Sequence, residues 1–223
     1  MKDEIEVVAL IPAICSDLIG CWLGDAALLS RTIEKVVRIR EVDRIILLSE
    51  DVNAAGVNWV EKHKDPRLLD ITFSKGILDR KKPIVSCCEA FYAGCTRYDR
   101  EHLRGKVIIA INPMYPLLEQ STIEKVLQTQ LEDLKRIVYT SNGKYSMCRL
   151  MNVDGLALME LPNYCDAVVA YIGKDTTTSP HFHVIGGRAR DIWGVPLLPR
   201  ETINVDSADG WDVAEVLCSG FTM

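Results

Sequence analysis

Apolar residues along this chain follow two alternating rhythms. The segments Val7–Ile11, Arg44–Leu48 and "KVIIAIN" (Lys106–Asn112) are nearly continuous in apolar character, as strands buried on both faces are. Between them the spacing changes to three and four residues. Leu29, Ile33, Val36, Val37 and Arg40 predict one helix, and a less regular helical segment follows at Val52–His63. A short strand is expected near Leu68–Phe73. "PIVSCCEAFYAGCTRYD" fits a helix opened by Pro83, whose missing N–H does no harm in a first turn. In "STIEKVLQTQLEDL", Ser121 and Glu124 have capping-box spacing, and Ile123, Val126, Leu127, Leu131 and Leu134 form one face.

After Arg136 the rhythm changes again. "RIVYTSN", "GLALMEL", "AVVAYIG", "FHVIGG" and "VPLLP" are short strand-like pieces with little helix between them, before a final helix over Asp209–Cys218. Buried strands separated by helices predict an α/β fold with a mixed, mostly parallel sheet and helices on both faces, Val7–Ile11 and Lys106–Asn112 being its central strands. No Gly/Ser/Pro-rich linker or internal repeat interrupts the 223 residues, so residues 1–223 read as a single domain.

Composition narrows the function classes. A formal charge of −5 argues against non-specific nucleic-acid binding, which needs a basic surface to displace counterions. The N-terminal "MKDEIEVVALIPA" places acids ahead of an apolar run too short to span a bilayer, so neither a signal peptide nor a membrane anchor is expected. The eight cysteines then read as reduced, mostly core-packing thiols of a cytoplasmic protein. Cys15 and Cys21 are six apart, Cys87 and Cys88 are adjacent, and no C-x-x-C pair is present, so a structural zinc site is disfavoured. Cys88 and Cys95, seven apart, suit one buried helix face.

Ligands of open α/β sheets bind beyond the carboxyl ends of the strands. Three such ends carry polar or special residues here: Pro12–Gly20, Asn112–Leu118 and Asn204–Asp209. Together they resemble the cytidylyltransferases that activate sugar acids, the acylneuraminate and 3-deoxy-manno-octulosonate type. That family opens "IPARGGSKGIPRKN", then "LGGKPLIAYTI", against Ile11–Ala13 and Leu23–Ile33 here. "DRIILLSED" is similar to its "DRVIVSTDD", "INPMYPL" to "LQPTSPLR", "AVVAYIG" to "GALYVF", and "VPLLPRETINVDSADGWDVAEVL" to "YVMPEERSIDIDTPEDLELAE". The motifs run end to end in matching order. The resemblance implies a Rossmann-like nucleotidyltransferase fold, frequently homodimeric, that uses CTP with Mg²⁺ and a small acidic sugar and releases pyrophosphate.

Carried over residue by residue, the resemblance places Pro12, Ala13, Ser16, Lys82 and Asn112 at the nucleotide, and Asn204 and Asp206 at the metal. Lys82-Pro83 matches the family's Arg-Pro, and Asn112 replaces its Gln with a shorter amide. The departures lie in the cations. The first loop is about five residues shorter by alignment to the family pattern, Ile14 stands at the family Arg, and Ala26 replaces the Lys of "LGGKP". Asn204-Val205-Asp206 stands for "DID", leaving one carboxylate for a hard cation that prefers oxygen ligands.

Other polar positions admit plainer readings. Arg80, Lys81 and Lys82 either replace the missing charge or form a solvated loop, and Asn112 either contacts ligand or satisfies loop backbone. Asp209 either assists the metal, caps the last helix or is solvated. His181 and His183 share one face of a strand, as a metal pair or as surface groups, and Gly186-Gly187 with Arg188 and Arg190 is a turn or an anion contact. Dinucleotide, P-loop, G-x-S-x-G and H-E-x-x-H patterns are absent. Two functions therefore stand: a CTP-using nucleotidyltransferase, and a non-catalytic relative that binds a nucleotide, sugar nucleotide or partner subunit. The methylerythritol-phosphate and molybdopterin nucleotidyltransferases share the general layout and also need cations in the first loop.

Overall fold

A computed structural model of the chain describes residues 5–13, 17–49, 65–72, 106–134, 136–141, 147–151, 157–162, 167–172 and 191–219. The expected helices at 52–63 and after Pro83, and the expected strand "FHVIGG", lie outside the described residues.

The principal sheet has seven strands: β1 (Val7–Ala13), β4 (Arg44–Ser49), β5 (Leu68–Thr72), β6 (Lys106–Ile111), β7 (Arg136–Ser141), β10 (Ala167–Ile172) and β11 (Asp191–Pro196). Their spatial order is β11-β7-β10-β6-β1-β4-β5. β10 pairs antiparallel with both β6 and β7, and every other pairing in the sheet is parallel. The mixed, mostly parallel sheet read from the sequence is thus present. Two short ladders stand apart from it: β2 (Trp22–Leu23) with β3 (Ala26–Ala27), and β8 (Met147–Met151) with β9 (Ala157–Pro162). Neither β8 nor the β2–β3 hairpin was expected. The hairpin turns at Gly24, whose φ of 65° is the left-handed region that glycine adopts without strain.

β1 and β6 are central, as their unbroken apolar character requires. Val7, Ala9, Ile11 and Ala13 of β1 join Val107, Ile109 and Ile111 of β6 in one core. Helix α1 (Leu28–Val37) packs on that face through Leu28, Leu29, Ile33 and Val36, and α2 (Gln120–Glu132) through Ile123, Val126 and Leu127. The opposite face is equally closed: Val8, Leu10, Ile46 and Ile108 are fully buried. Each such side chain contributes roughly 1.5–3 kcal/mol relative to exposure, so a one-residue slip in register would be ruinous.

Three boundaries differ from the sequence expectation. The first helix stops at Val37, short of Arg40, and Arg67 reaches across to donate to carbonyls at and beyond its C-terminal end. Its guanidinium donates to the carbonyls of Val37 (2.6 Å) and Val42 (3.1 Å) while pairing with Asp65. Such carbonyls would otherwise lack partners. The capping box at Ser121 is not formed. Glu119 is the N-cap residue, Ser121 Oγ donates to Glu119 Oε2, and Glu124 accepts from Gln120 instead. The strand expected at "VPLLP" lies earlier, at Asp191–Pro196, and Pro199 opens a short 3-10 turn, Pro199–Thr202. The final helix α3 (Ala208–Cys218) matches its expectation within a residue. Among the described residues no helix is long and apolar enough to cross a membrane.

Candidate functional site

The chain leaves β1 toward β4 on one side of the sheet, while β6 pairs with β1 on the other. The carboxyl ends of β1 and β6 therefore form a topological switch point, where open α/β sheets leave a crevice for ligands. Their ladder ends at Leu10–Ala110, two residues before Pro12 on one strand and Asn112 on the other. Pairing of β1 with β4 continues to Ala13–Ser49. Pro12 has no N–H to offer a ladder, so its position at this divergence is physically apt. Two of the sequence-derived nucleotide positions, Ala13 and Asn112, are thus buried at one strand-end pair. Ser16 and Lys82 lie outside the described residues, as do Ile14, Arg80, Lys81, His181, His183, Arg188 and Arg190.

Asn112 opens the loop after β6. Its Oδ1 accepts the Met114 N–H at 3.0 Å, and its carbonyl accepts the Tyr115 N–H at 3.3 Å. The oxygen end of the amide shapes the loop, as the plainer reading anticipated, and Nδ2 has no partner among the described residues. Residues 112–118 are mostly buried, and apart from Asn112 their side chains are apolar or aromatic.

The third candidate stretch docks directly onto this loop. Val205 N–H donates to Met114 O at 3.0 Å, and Asn204 Nδ2 donates to Tyr115 Oη at 3.3 Å. Segments about ninety residues apart in sequence are thereby joined. Asn204 Oδ1 also accepts the Asp206 N–H at 2.8 Å, so both ends of this amide hold local structure. Ser207, not Asp206 or Asp209, caps α3: its Oγ accepts the Gly210 N–H at 3.1 Å. Asp209 is exposed in the first turn, where its charge suits the helix dipole. The Asp206 carboxylate is exposed and without a side-chain partner among the described residues.

No cluster of three or more His, Cys, Asp or Glu side chains that could hold a metal is present among the described residues. A bound divalent cation would draw on Asp206 together with phosphate oxygens and water. That donor set suits Mg²⁺, which commonly takes one or two carboxylates and completes its shell from substrate and solvent. Ala26, at the position of the family lysine, lies in the β2–β3 hairpin. The nearby cation Arg31 holds that hairpin, donating to Leu23 O at 2.9 Å and pairing with Asp25.

Two charged residues that carried no sequence signal stand behind the loop. Lys35 of α1 donates from Nζ to Pro116 O. Burial pushes its ammonium down from 10.5 to about 8, helped by Arg31, while Cys218, Glu201 and Glu119 act in the opposite sense. Glu201 is wholly buried, with Oε1 accepting the Glu119 N–H at 2.9 Å and Oε2 the Leu198 N–H at 2.8 Å. Outside this pair, Arg200 Nε donates to Glu119 at 3.0 Å, which holds that carboxyl below its usual range. Lys35 sits at the margin of an apolar helix face and Glu201 in "PRET", contexts that read as solvated from sequence alone.

The architecture matches solved structures. The fold is that of the nucleotidyltransferases. The crystal structure of 4-diphosphocytidyl-2C-methyl-D-erythritolsynthase from Anaerococcus prevotii DSM 20548 aligns with a TM-score of 0.63 and 14% identity over 98% of both chains. A second 4-diphosphocytidyl-2C-methyl-D-erythritol synthase aligns with a TM-score of 0.60 and 12% identity, over 96% of this chain and 99% of the other. No family model and no curated protein matches the sequence. At these identities the likeness establishes the architecture, which the resemblance to sugar-acid cytidylyltransferases had implied.

Proposed function

We propose that the protein is a nucleotidyltransferase that moves CMP from CTP to a small anionic sugar derivative, a sugar acid or related acid, with release of pyrophosphate. The observation that carries this reading is the hydrogen bond from Val205 N–H to Met114 O, which joins the segment containing Asp206 to the loop after β6. Its support in kind comes from the two solved structures, both named as diphosphocytidyl synthases and aligned along nearly their whole length. In the reaction an acceptor oxygen bonds to the α-phosphorus, the bond to the β-phosphate bridge breaks, and the acceptor's proton is lost to solvent. Such chemistry depends mainly on positioning and on neutralising developing charge.

In this reading Asn112 offers Nδ2 to the base or ribose, and Ser16, carried over from the resemblance, is the phosphate contact of the first loop. Asp206 and a bound Mg²⁺ would supply the counter-charge to the triphosphate, with Asn204 orienting the Asp206 backbone. Lys82 remains the candidate for the displaced cationic clamp. The alternative, a binding protein without turnover, is favoured by Ile14, Ala26 and Asn204 standing where the resembled family has cations and a carboxylate.

Isothermal titration of CTP and of CMP at fixed Mg²⁺ separates the two. Each charge-assisted bond to the outer phosphates is worth roughly 1.5–3 kcal/mol, so a working clamp predicts CTP binding at least tenfold tighter than CMP. Asp206→Ala is expected to abolish the Mg²⁺-dependent part of that preference, and pyrophosphate release should follow addition of the correct acid. Equal affinity for CTP and CMP, unchanged by Asp206→Ala, would overturn the transferase reading in favour of a binding role.

A further inference from the structure

We propose that Lys35 and Glu201 are positioning residues: a two-point clamp, partly buried at Lys35 and wholly buried at Glu201, that fixes the separation between the Asn112 loop and the Asn204–Asp206 segment. The consequence for nucleotide binding rests on the function proposed above, whereas the clamp itself does not. Lys35 holds the carbonyl of Pro116 from α1, and Glu201 holds the amide of Glu119 from the 3-10 turn. The loop that begins at Asn112 is therefore gripped at its far end by two charges of opposite sign, three residues apart along the backbone. The second oxygen of Glu201 simultaneously closes its own turn through Leu198 N–H. From Glu201 the chain runs only five residues to Asp206. A shift of Glu201 must move both walls of the crevice together.

Stability does not account for this arrangement. Ionised groups taken out of water carry a desolvation penalty that well-packed apolar side chains of similar volume avoid. What a charged pair of this kind supplies is direction, because each group accepts only the backbone geometry that completes its hydrogen bonds. Among the described residues, the titratable groups that act on Lys35 are Arg31 on α1, Cys218 on α3, Glu201 in the 3-10 turn and Glu119 before α2. With its ammonium titrating near 8, the clamp loses its ionic half as pH rises through that value, leaving a neutral amine on Pro116 O. The crevice is thus tightest below pH 8.

Amide hydrogen exchange on the full-length protein without ligand tests the clamp. Val205 and Tyr115, whose N–H groups are bonded to Met114 and Asn112, report the junction. In Glu201→Gln the amide nitrogen must face a backbone N–H, and in Lys35→Met the grip on Pro116 is removed. Each is expected to lower protection at Val205 roughly tenfold or more, the scale of a lost charge-assisted bond, with Lys35→Arg retaining it. Corrected for intrinsic exchange, wild-type protection should also fall through pH 8, and Lys35→Met should lack that step. Should Glu201→Gln fail to fold, the Lys35 variants and the pH series decide. Protection at Val205 unchanged in Lys35→Met and flat across pH 8 would overturn the inference. CTP titration of the same variants then reads the consequence: loosened exchange with CTP binding absent in wild type would leave the clamp standing and remove the nucleotide reading.

Discussion

Gly210→Ala probes the junction that assembles the proposed site. A Cβ built on Gly210 lies 1.9 Å from the Asn204 carbonyl oxygen and 2.8 Å from Ser207 Oγ. Separations below 3.0 Å are not tolerated by real Cβ atoms, so the carbonyl must retreat by roughly an ångström, and tightly packed surroundings transmit such shifts. The obstacle is backbone, not a side chain that can swing aside. Retreat weakens the Ser207 cap, worth about 1 kcal/mol, and the Val205–Met114 bond, worth about as much again. Alanine's better helix propensity returns up to about 1 kcal/mol. The net expectation is a loss of about 1–2 kcal/mol, which for a chain of this length lowers Tm by roughly 2–8 °C. Calorimetry measures it, with Ser207→Ala as the variant that removes only the cap. In the same variant, Mg²⁺-dependent CTP stabilisation should weaken more than the fold does. A Tm at or above wild type would show helix propensity prevailing, and would refute the close approach of α3 to Asn204.

Three further outcomes follow from described contacts. Gln130 on α2 is fully buried, and neither atom of its amide group has a partner among the described residues. Leaving a carboxamide unsatisfied costs about 1–3 kcal/mol, so Gln130→Leu should raise the urea midpoint, and a lower midpoint would contradict this. Arg67 joins Asp65 to the carbonyls at the end of α1, and its removal in Arg67→Ala should destabilise by about 2–3 kcal/mol in urea unfolding. The hydrogen bonds from Arg67 hold the Asp65 carboxyl below its usual 3.8. The unfolded chain therefore takes up that proton first, and the stabilisation present above the ordinary carboxylate range is lost as pH falls through the folded value. Asp65→Asn should flatten this acid limb, and an unaltered limb would place the titration elsewhere.

Hydrophobic rhythm by itself determined much of this protein. β1 is apolar at every position and β6 at every position after Lys106, and only a strand covered on both faces can use such a run, so the central placement of these two was legible from the sequence. The faces of α1 and α2 were legible for the same local reason. So were the polar ends of β1 and β6, because a chain leaving a buried strand must change character there; the third polar stretch, Asn204–Asp209, follows the 3-10 turn and not a strand. Periodicity failed where a short polar signal had competitors. Ser121 had capping-box spacing, yet the N-cap lies two residues earlier, at Glu119, which is engaged with Arg200.

Tertiary structure alone decided how the polar groups are paired. Lys35 and Pro116 are 81 residues apart in sequence, and Glu201 and Glu119 are 82 apart. Nothing within either local stretch distinguishes Glu201 from a solvated acid or Lys35 from a solvated base. Their burial follows from the order of strands in the sheet, which brings the end of β6 against the turn after β11. Asn204 illustrates the same division: the resemblance implied that it replaces a carboxylate, while the fold showed an amide whose donor meets Tyr115 and whose acceptor meets Asp206. Apolar burial is non-directional and can be read from spacing along the chain, whereas a buried hydrogen bond needs one partner at one angle, and that partner is chosen only when distant segments pack.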